Sequence, residues 1–344
     1  MYVGLDVHYR TSSFCILDAN GREIKTQCVR GSVAKVVESL KALSKETPLS
    51  ICYEASIGYG KLFDDLSKFA NVSVAHPGDL RMIFKSKQKN DRIDASRLAK
   101  LLYLGEVPKV HVPSIDVRAW RELIETRRRT IDKRTMTKNA IKAILRSRHI
   151  ELFFKGRSLW TKKGRAWLEA LELDPSAHLR RLLLLAELDQ FEMHVKTLTH
   201  ELDEIGSKRS DIALLMTIPG VGPRTAECMI AYIDDIRRFA RTNQVSSYFG
   251  LVPSQDSSAG VNRLGHITKK GPGTARKLLI EAAWQAKRLS PTLRAFFDRI
   301  CGGKKDRRKI ALVAVAHKLV RVIAAMLRSG EAWRESVIES KPMN

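Results

Sequence analysis

The sequence predicts a mixed α/β domain at its N-terminal end, followed by a mainly helical remainder. Residues 2–77 alternate short apolar runs with amphipathic helical patterns, which is typical of an α/β fold. Residues 115–205 are charge-rich and have the spacing of long helices, and further helical runs begin near Ser207. With 344 residues, 44% of them hydrophobic, the chain is long enough for about two or three domains with their own cores.

Three strands are predicted to open the chain. "YVGLDVH" is the first, and "SFCILDANGREIKTQCVRG" holds the second and third around a turn at Ala19-Asn20-Gly21, because Asn-Gly is a strong hairpin signal. A helix ("SVAKVVESLKALSKE"), a strand ("LSICYEAS"), a helix ("GKLFDDLSKFA") and a strand ("NVSVAHP") follow. This is the element order of an RNase H-like core, in which catalytic carboxylates lie on the first strand, the fourth strand and a following helix.

Four acids occupy those positions. Asp6 lies inside the first strand, Glu54 ends the fourth, and Asp91 and Asp94 open the next helix after a predicted N-cap at Asn90. Residues three apart share one helix face, and an unpaired carboxylate in an apolar strand is costly. Because Mg²⁺ prefers oxygen ligands, we expect these four residues to bind Mg²⁺, with Mn²⁺ as the alternative ion.

Each acid also has a plainer interpretation. Glu54 alone is equally consistent with an exposed residue at the end of a strand. Asp91 alone is consistent with an acid that interacts favourably with a helix dipole. The four together, in a strongly basic chain, favour metal binding. His8 and His76 flank the ends of predicted strands and are expected to be structural. No chemical argument selects His266 as a base.

The charge of the chain indicates its partner. There are 61 Lys and Arg residues against 37 Asp and Glu, which gives a net charge of +24. Such an excess predicts binding to a polyanion, most often nucleic acid. No apolar run has transmembrane character, because His317, Lys318 and Arg321 interrupt the last apolar helix. The N-terminus does not read as a signal peptide, and the five cysteines form no C-x-x-C pair, so we expect a reduced cytoplasmic protein.

The predicted domains are 1–112, an α/β catalytic domain, 113–206, a helical arm, and 207–344, a C-terminal domain. The arm contains two long amphipathic helices with few breakers, which predicts an antiparallel coiled coil. In the C-terminal domain, "PGVGP" between helical runs indicates a helix-hairpin-helix, whose backbone amides bind phosphate. The segment "SSYFGLVPSQDSSAGVNRLGHITKKGPG" is expected to be a Ser/Gly-rich loop that leads through basic residues into a helix.

Eight residues of this C-terminal domain are predicted to bind nucleic acid, although a solvated surface would suit any single one of the basic side chains. They are Gly220, Gly222, Arg224, Arg263, Lys269, Lys270, Arg276 and Lys277.

The acids and the C-terminal motifs resemble one known family. Asp6 in "GLDVH", Glu54 in "CYEAS" and the pair in "KNDRIDA" resemble the DEDD tetrad of insertion-sequence-110 type transposases. "IPGVGPRTA", "YFGLVPSQDSSAG" and "HITKKGPGTARKLLIEAAW" resemble the second domain of that family, the insertion-sequence 116/110/902 domain. The resemblance implies a site-specific DNA recombinase with a RuvC-like DEDD domain, a coiled coil and a C-terminal transposase domain. It also implies a bacterial, nucleoid-associated protein and a structured noncoding RNA, the bridge RNA, that selects donor and target DNA.

The resemblance further implies a serine nucleophile. Alignment on "GLVP" at 250–253 and on Gly260 favours Ser258, and Ser257 remains the alternative. The acids and the serine lie in segments separated by the helical arm, so they could meet within one chain or between protomers. We expect a homo-oligomer, a dimer or a tetramer, with the site completed between protomers.

Two other functions fit the same residues. A RuvC-like, metal-dependent junction-resolving endonuclease would hydrolyse DNA with water and need no serine. A non-catalytic nucleic-acid-binding protein would need neither the serine nor the metal. A covalent protein–DNA adduct would distinguish the recombinase from both.

Overall fold

The computed structural model describes residues 1–84, 90–152, 158–258 and 261–335, apart from the side chains of 257, 258, 261 and 262. The chain divides into two compact units, Met1–Arg118 and Ala119–Asn344. The predicted boundaries at 112 and 206 stay a prediction.

The first unit is a five-stranded sheet with helices on both faces. Its elements are β1 (Tyr2–Val7), β2 (Thr11–Leu17), β3 (Glu23–Arg30), α1 (Val33–Ser44), β4 (Ser50–Glu54), α2 (Tyr59–Leu66), β5 (Asn71–Ala75), α3 (Pro77–Ile83) and α4 (Asp91–Leu104). The strand order is β3-β2-β1-β4-β5; β1 to β3 pair antiparallel, and β4 and β5 run parallel to β1. The predicted element order from β1 to β5 is confirmed.

Because side chains alternate between the two faces of the strands, apolar residues pack on both faces of the sheet. Odd-numbered residues of β1, such as Val3 and Leu5, pack with apolar residues of α1 and α2. The opposite face holds Cys15 of β2, Cys52 of β4 and the buried side of α4. The sequence prediction omitted α3, a short helix that begins at Pro77.

The second unit contains most of the helices. Its elements are the greater part of α5 (Ile115–Arg146), then α6 (Lys162–Ala170), α7 (Pro175–Ser207), α8 (Ser210–Met216), α9 (Pro223–Ile233), α10 (Thr242–Tyr248), β6 (Pro253–Ser258), β7 (Val261–Ile267), α11 (Gly273–Leu289), α12 (Pro291–Cys301) and α13 (Arg308–Ser329). Its main core gathers apolar residues of α8, α9, α11, α12 and α13.

The two long helices α5 and α7 pack antiparallel. The Arg127 side chain near the middle of α5 donates to Thr199 late in α7, at 2.8 Å, whereas Thr137, farther along α5, donates to Glu187, earlier in α7, at 2.9 Å. Ile141 of α5 shares a small core with Leu185. The two predicted arm helices are therefore present, and their coiled-coil geometry stays a prediction.

The helical stretch Lys305–Ser329 is long and apolar enough to cross a membrane by length and composition, and half of its most apolar window is buried inside the structure. Leu319, Val320 and Ile323 are completely buried in the main core of the second unit. This packing agrees with the prediction of a core helix.

The prediction of a Ser/Gly-rich loop after residue 250 was wrong. β6 and β7 form an antiparallel hairpin in which Asp256 faces Arg263 and Ser258 faces Val261. The described side chains of β6 are all exposed, and those after Pro253 are polar, so the apolar alternation that marks a half-buried strand is missing from the sequence. The two strands pair through hydrogen bonds between backbone groups, and these bonds require no particular side chains, so the sequence does not reveal them.

Candidate active site

Two predicted acids lie side by side near the carboxyl ends of the neighbouring parallel strands β1 and β4. β1 and β4 run parallel, with Leu5 opposite Tyr53, so Asp6 and Glu54 occupy the next position along the pair. Side chains alternate across a strand, which places Asp6 on the same face as Gly4, the face that α4 covers. The Asp6 side chain is 19% exposed, and Glu54 is exposed.

The other two predicted acids lie in the first turn of α4. The predicted N-cap is confirmed, because the Asn90 side chain accepts a hydrogen bond from the backbone N–H of Arg92 at 3.0 Å. Asp91 is exposed and Asp94 is partly exposed. Asp94 accepts a hydrogen bond from Arg97 at 3.2 Å.

Gly4 allows α4 to approach the sheet. A Cβ atom on Gly4 would lie 2.0 Å from the carbonyl oxygen of Ala95 and 2.3 Å from the backbone nitrogen of Ala99. Ala95 and Ala99 are fully buried and lie one and two turns after Asp91 on the same side of the helix. The contact between backbone and backbone therefore brings Asp91 towards the end of β1.

His8 completes the cluster, which we define as Asp6, His8, Glu54, Asp91 and Asp94. His8 follows the end of β1, and its Nε2 atom lies 3.3 Å from Oδ2 of Asp6 and 3.8 Å from Oδ1 of Asp91. One donor atom from each of Asp6, His8 and Asp91 lies within 4.8 Å of the other two. The sequence prediction placed His8 outside the chemistry; its spacing of two from Asp6, on the same strand face, was the available signal.

The electrostatics of Asp6 reflect the whole cluster. Burial raises the pKa of Asp6 above its usual value, and the charges of Asp91, Asp94 and Glu54 raise it further, while His8 acts in the opposite direction. The other three predicted carboxylates are therefore close enough for their charges to act on Asp6. A divalent cation among them would replace mutual repulsion with attraction.

The donor atoms fit such an ion. Mg²⁺ binds oxygen ligands at about 2.0–2.1 Å, with one or two carboxylates from the protein. Two ligands on one octahedral ion are then separated by about 3 Å when adjacent and about 4 Å when opposite. Nε2 of His8 lies 3.3 Å from Asp6, near the value for adjacent ligands, and 3.8 Å from Asp91, near the value for opposite ligands.

Ser257 and Ser258 lie in the second unit, in the last two positions of β6. The predicted nucleophile is the Ser258 hydroxyl, which falls outside the described side chains, as does the alternative at Ser257. The backbone places both residues at the end of β6, just before residues 259–260, which lie outside the described residues.

The predicted helix-hairpin-helix corresponds to α8, a short turn and α9. A Cβ atom on Gly220, where φ is +87°, would lie 2.5 Å from the backbone nitrogen of Ala286, so this glycine allows α11 to pack closely. Gly222 is the N-cap of α9 and has open space beside it. Phosphate binding by this turn stays a prediction.

The predicted nucleic-acid-binding side chains fall into two groups. Arg224 pairs with Asp203 and Glu227, Arg276 donates to the carbonyl oxygens of Lys270 and Gly271, and Lys277 pairs with Asp132. These three side chains interact with their own chain. The second group, Arg263, Lys269 and Lys270, is exposed and forms no ion pair within the described part of the chain.

Two family models match the chain. A model for IS110-type DEDD transposases, described as "Transposase", matches residues 3–150, which include all four predicted acids. The model described as "Transposase IS116/IS110/IS902 family" matches residues 212–298, which include both serines and the predicted nucleic-acid-binding residues. The chain belongs to the IS110 family of transposases.

Named relatives agree with this membership. The transposase for insertion sequence element IS1111A of Coxiella burnetii is 27% identical over 96% of this chain and 91% of its own length. A Sinorhizobium fredii protein that carries a transposase name, y4pF/y4sB, is 28% identical over 87% of this chain and 78% of its own length. The transposase for IS1328 of Yersinia enterocolitica is 24% identical over 83% of this chain and 86% of its own length. This IS110-family transposase is therefore an enzyme that acts on DNA, and membership in a DEDD family indicates use of a divalent metal ion.

Proposed function

We propose that this transposase cleaves and exchanges DNA strands through a Ser258 nucleophile and an Mg²⁺-binding tetrad of Asp6, Glu54, Asp91 and Asp94, with Mn²⁺ as a substitute ion. The observation that carries the proposal is the convergence of these acids at one end of the sheet, where three of them raise the pKa of the fourth. Clustered carboxylates without matching cations are costly, so their assembly indicates a role that requires charge.

The sheet supports an RNase H-like, RuvC-like assignment for the first unit. Three antiparallel strands followed by two strands parallel to the first, in the order 3-2-1-4-5, are typical of that fold. Asp6 and Glu54 then lie on adjacent central strands, and the helix that carries Asp91 and Asp94 crosses the same face.

The chemistry assigns separate tasks to the acids and the serine. The serine oxygen attacks phosphorus and gives its proton to water, while the deoxyribose oxygen leaves and takes up a proton to become a hydroxyl, so the phosphodiester energy is kept in a serine–phosphate bond. A hydroxyl of the exchanged strand then attacks that phosphorus and releases the serine. Bound Mg²⁺ would supply charge neutralisation at phosphorus and activation of the attacking oxygen. The four carboxylates would hold and orient the ions.

Partners follow from the charge and the family resemblance. Arg263, Lys269 and Lys270 are suited to phosphate contacts on donor DNA, target DNA or a structured bridge RNA encoded by the element. The net charge of +24 suits a complex that contains both nucleic acids. The enzyme is proposed to act in the bacterial cytoplasm at the nucleoid.

Self-association would bring two DNA partners together. α7 exposes apolar side chains, among them Leu179 at 58%, Leu183 at 63% and Met193 at 58%. An exposed apolar stripe on a long helix suits a contact with a second copy. A dimer or a tetramer joined through the helical arm is the proposed assembly.

The metal tetrad is tested by Asp94→Ala. Strand exchange should be abolished, while binding of RNA and DNA stays close to wild type because the phosphate-binding side chains are unchanged. Asp116→Ala is the matched control, since Asp116 is likewise an acid in the first turn of a helix, and it is exposed. Normal strand exchange by Asp94→Ala would refute the metal site.

The nucleophile is tested by trapping the covalent adduct. Wild-type protein with bridge RNA and both DNA partners should give a protein–DNA adduct that survives denaturant, and Ser258→Ala should give none. An adduct that survives in Ser258→Ala and disappears in Ser257→Ala would move the role by one residue. Cleavage without any adduct in the wild type would indicate the water-using nuclease.

RNA guidance is tested by changing the RNA alone. Altering its predicted target-pairing segment should redirect insertion to DNA that matches the new segment. Insertion at the original target, unaffected by the change, would contradict guidance while leaving the recombinase chemistry in place.

A further inference from the structure

We infer that His8 is a fifth, nitrogen ligand of the tetrad's metal site and shifts its preference from Mg²⁺ towards Mn²⁺. This inference rests on the proposed metal-binding function of the four acids. His8 lies outside the DEDD set, and one of its imidazole nitrogens faces two of the four acids.

Strand geometry points the His8 side chain at the acids. Gly4, Asp6 and His8 alternate onto one side of the chain, the side that α4 covers. The backbone N–H of His8 donates to the carbonyl oxygen of Thr11 at 3.0 Å, which fixes the start of the turn between β1 and β2. The hairpin thus fixes the backbone of His8, and the imidazole lies beside Asp6.

The distances suit a shared ion better than a direct ion pair. A charge-assisted N–H···O bond has a length of about 2.7–2.9 Å, whereas Nε2 of His8 lies 3.3 Å from Asp6 and 3.8 Å from Asp91. One nitrogen thus faces two carboxylates, at hydrogen-bond length from neither. Ligands that share one octahedral ion lie about 3 Å apart when adjacent and about 4 Å apart when opposite, and the separations from Asp6 and Asp91 lie near these two values.

The ligand type determines the consequence for metal choice. Imidazole nitrogen is a softer ligand than carboxylate oxygen and favours transition metals over Mg²⁺. A cluster of oxygen ligands alone suits Mg²⁺. Addition of His8 should therefore strengthen Mn²⁺ binding more than Mg²⁺ binding.

The experiment measures metal binding without DNA or RNA. Protein that carries no added histidine tag is titrated with Mn²⁺, and the free ion is followed by electron paramagnetic resonance; Mg²⁺ affinity is obtained by competition. His8→Ala should weaken Mn²⁺ binding by about 10-fold or more and leave Mg²⁺ affinity closer to the wild-type value. His200→Ala, which removes an exposed histidine from α7, should change neither.

Pulsed resonance on the bound Mn²⁺ identifies the ligand directly. The wild type should show ¹⁴N coupling from a coordinated imidazole, replaced by ¹⁵N coupling when the protein contains ¹⁵N-labelled histidine. The labelled wild type answers the question even if His8→Ala fails to fold. In folded His8→Ala the coupling should disappear, and in His200→Ala it should persist.

The outcomes separate the two proposals. Mn²⁺ that binds without histidine coupling, or with coupling that persists in His8→Ala, would overturn the role of His8 and leave the tetrad intact. An absence of Mn²⁺ binding, or binding that Asp6→Asn does not weaken, would overturn both the tetrad and the fifth ligand.

Discussion

A single methyl group at Gly4 should separate α4 from the sheet and disturb the acid cluster. The added Cβ atom would lie 2.0 Å from the carbonyl oxygen of Ala95, whereas real Cβ contacts below 3.0 Å essentially never occur. The strand and the helix must therefore move apart by about 1 Å, the difference between those two distances. Because the opposing atoms belong to the main chain, no side-chain rotation can relieve the contact.

The cost can be worked from two opposing effects. Overpacking of a well-packed site costs about 1–3 kcal/mol. Replacement of glycine by alanine inside a strand returns about 0.5–1 kcal/mol. Gly4→Ala should therefore lower the free energy of unfolding by about 1 kcal/mol, and by about 2.5 kcal/mol at most. A displacement of about 1 Å at Asp91 should also lower the rate of strand exchange on the order of 100-fold.

Urea denaturation followed by far-ultraviolet circular dichroism measures the stability. Tryptophan fluorescence would not report on the first unit, because all five tryptophans, the first of them Trp120, lie in the second. Gly273→Ala is the matched control: its Cβ would meet nothing closer than 3.8 Å, so stability should stay the same or rise slightly.

A second substitution sharpens the test. Adding Ala95→Gly to Gly4→Ala removes a side chain but leaves the opposing carbonyl oxygen in place, so it should not restore stability or metal binding. Unchanged unfolding free energy and unchanged Mn²⁺ affinity in Gly4→Ala would refute the close backbone approach. Restoration by Ala95→Gly would show that the contact is between side chains.

Three further predictions concern the second unit. Burial raises the pKa of Glu227 to about 7 from 4.5; the folded state therefore binds the proton more tightly, and stability should fall as pH rises between these values. Glu227→Gln should remove this pH dependence and stabilise the protein by up to about 3 kcal/mol at pH 8. Urea titrations at several pH values measure the unfolding free energy, and the same pH dependence in both proteins would contradict this prediction. Leu183→Asp should reduce the mass of the nucleic-acid complex in light scattering, while Leu289→Asp, also on an exposed leucine, should not; equal masses would argue against the arm contact. The double change Lys269→Ala with Lys270→Ala should weaken DNA binding and reduce the salt slope by about 2, and an unchanged slope would remove both from the phosphate contacts.

Part of the site could be predicted because its signals are local. Asp6 interrupts an apolar alternation, and Asn90 followed by two acids marks the start of a helix. The spacing of His8 from Asp6 is a local signal too, but the approach of His8 to Asp91 could not be predicted in this way. The position of the His8 side chain depends on the turn between β1 and β2. The position of Asp91 depends on how closely α4 approaches β1, which is determined by the contact of Gly4 with Ala95 and Ala99, about 90 residues later in the sequence.

Basic residues show a related limit of sequence reasoning. Arg224, Arg276 and Lys270 look equivalent in the sequence, where each lies near a glycine-rich turn. In the structure Arg224 pairs with acids of its own unit and Arg276 donates to carbonyl oxygens of a neighbouring turn, whereas Lys270 is exposed. A charge in the sequence does not identify its partner, because local helix and turn geometry decides which acid or carbonyl oxygen the side chain reaches; Glu227 lies three residues from Arg224, and Lys270 lies six residues from Arg276.

The position of the acids has an electrostatic consequence for the reaction. The net charge of +24 favours binding of nucleic acid to the chain as a whole, yet the cluster around Asp6 places four carboxylates near the carboxyl ends of β1 and β4, with Arg97 paired to Asp94. Without metal this cluster repels the phosphate that it must act upon. Divalent cations bound there would reverse the local sign, so that phosphate binding at the cluster, unlike binding elsewhere on the protein, would depend on the metal. DNA affinity should therefore change little on metal removal, whereas strand cleavage should stop completely.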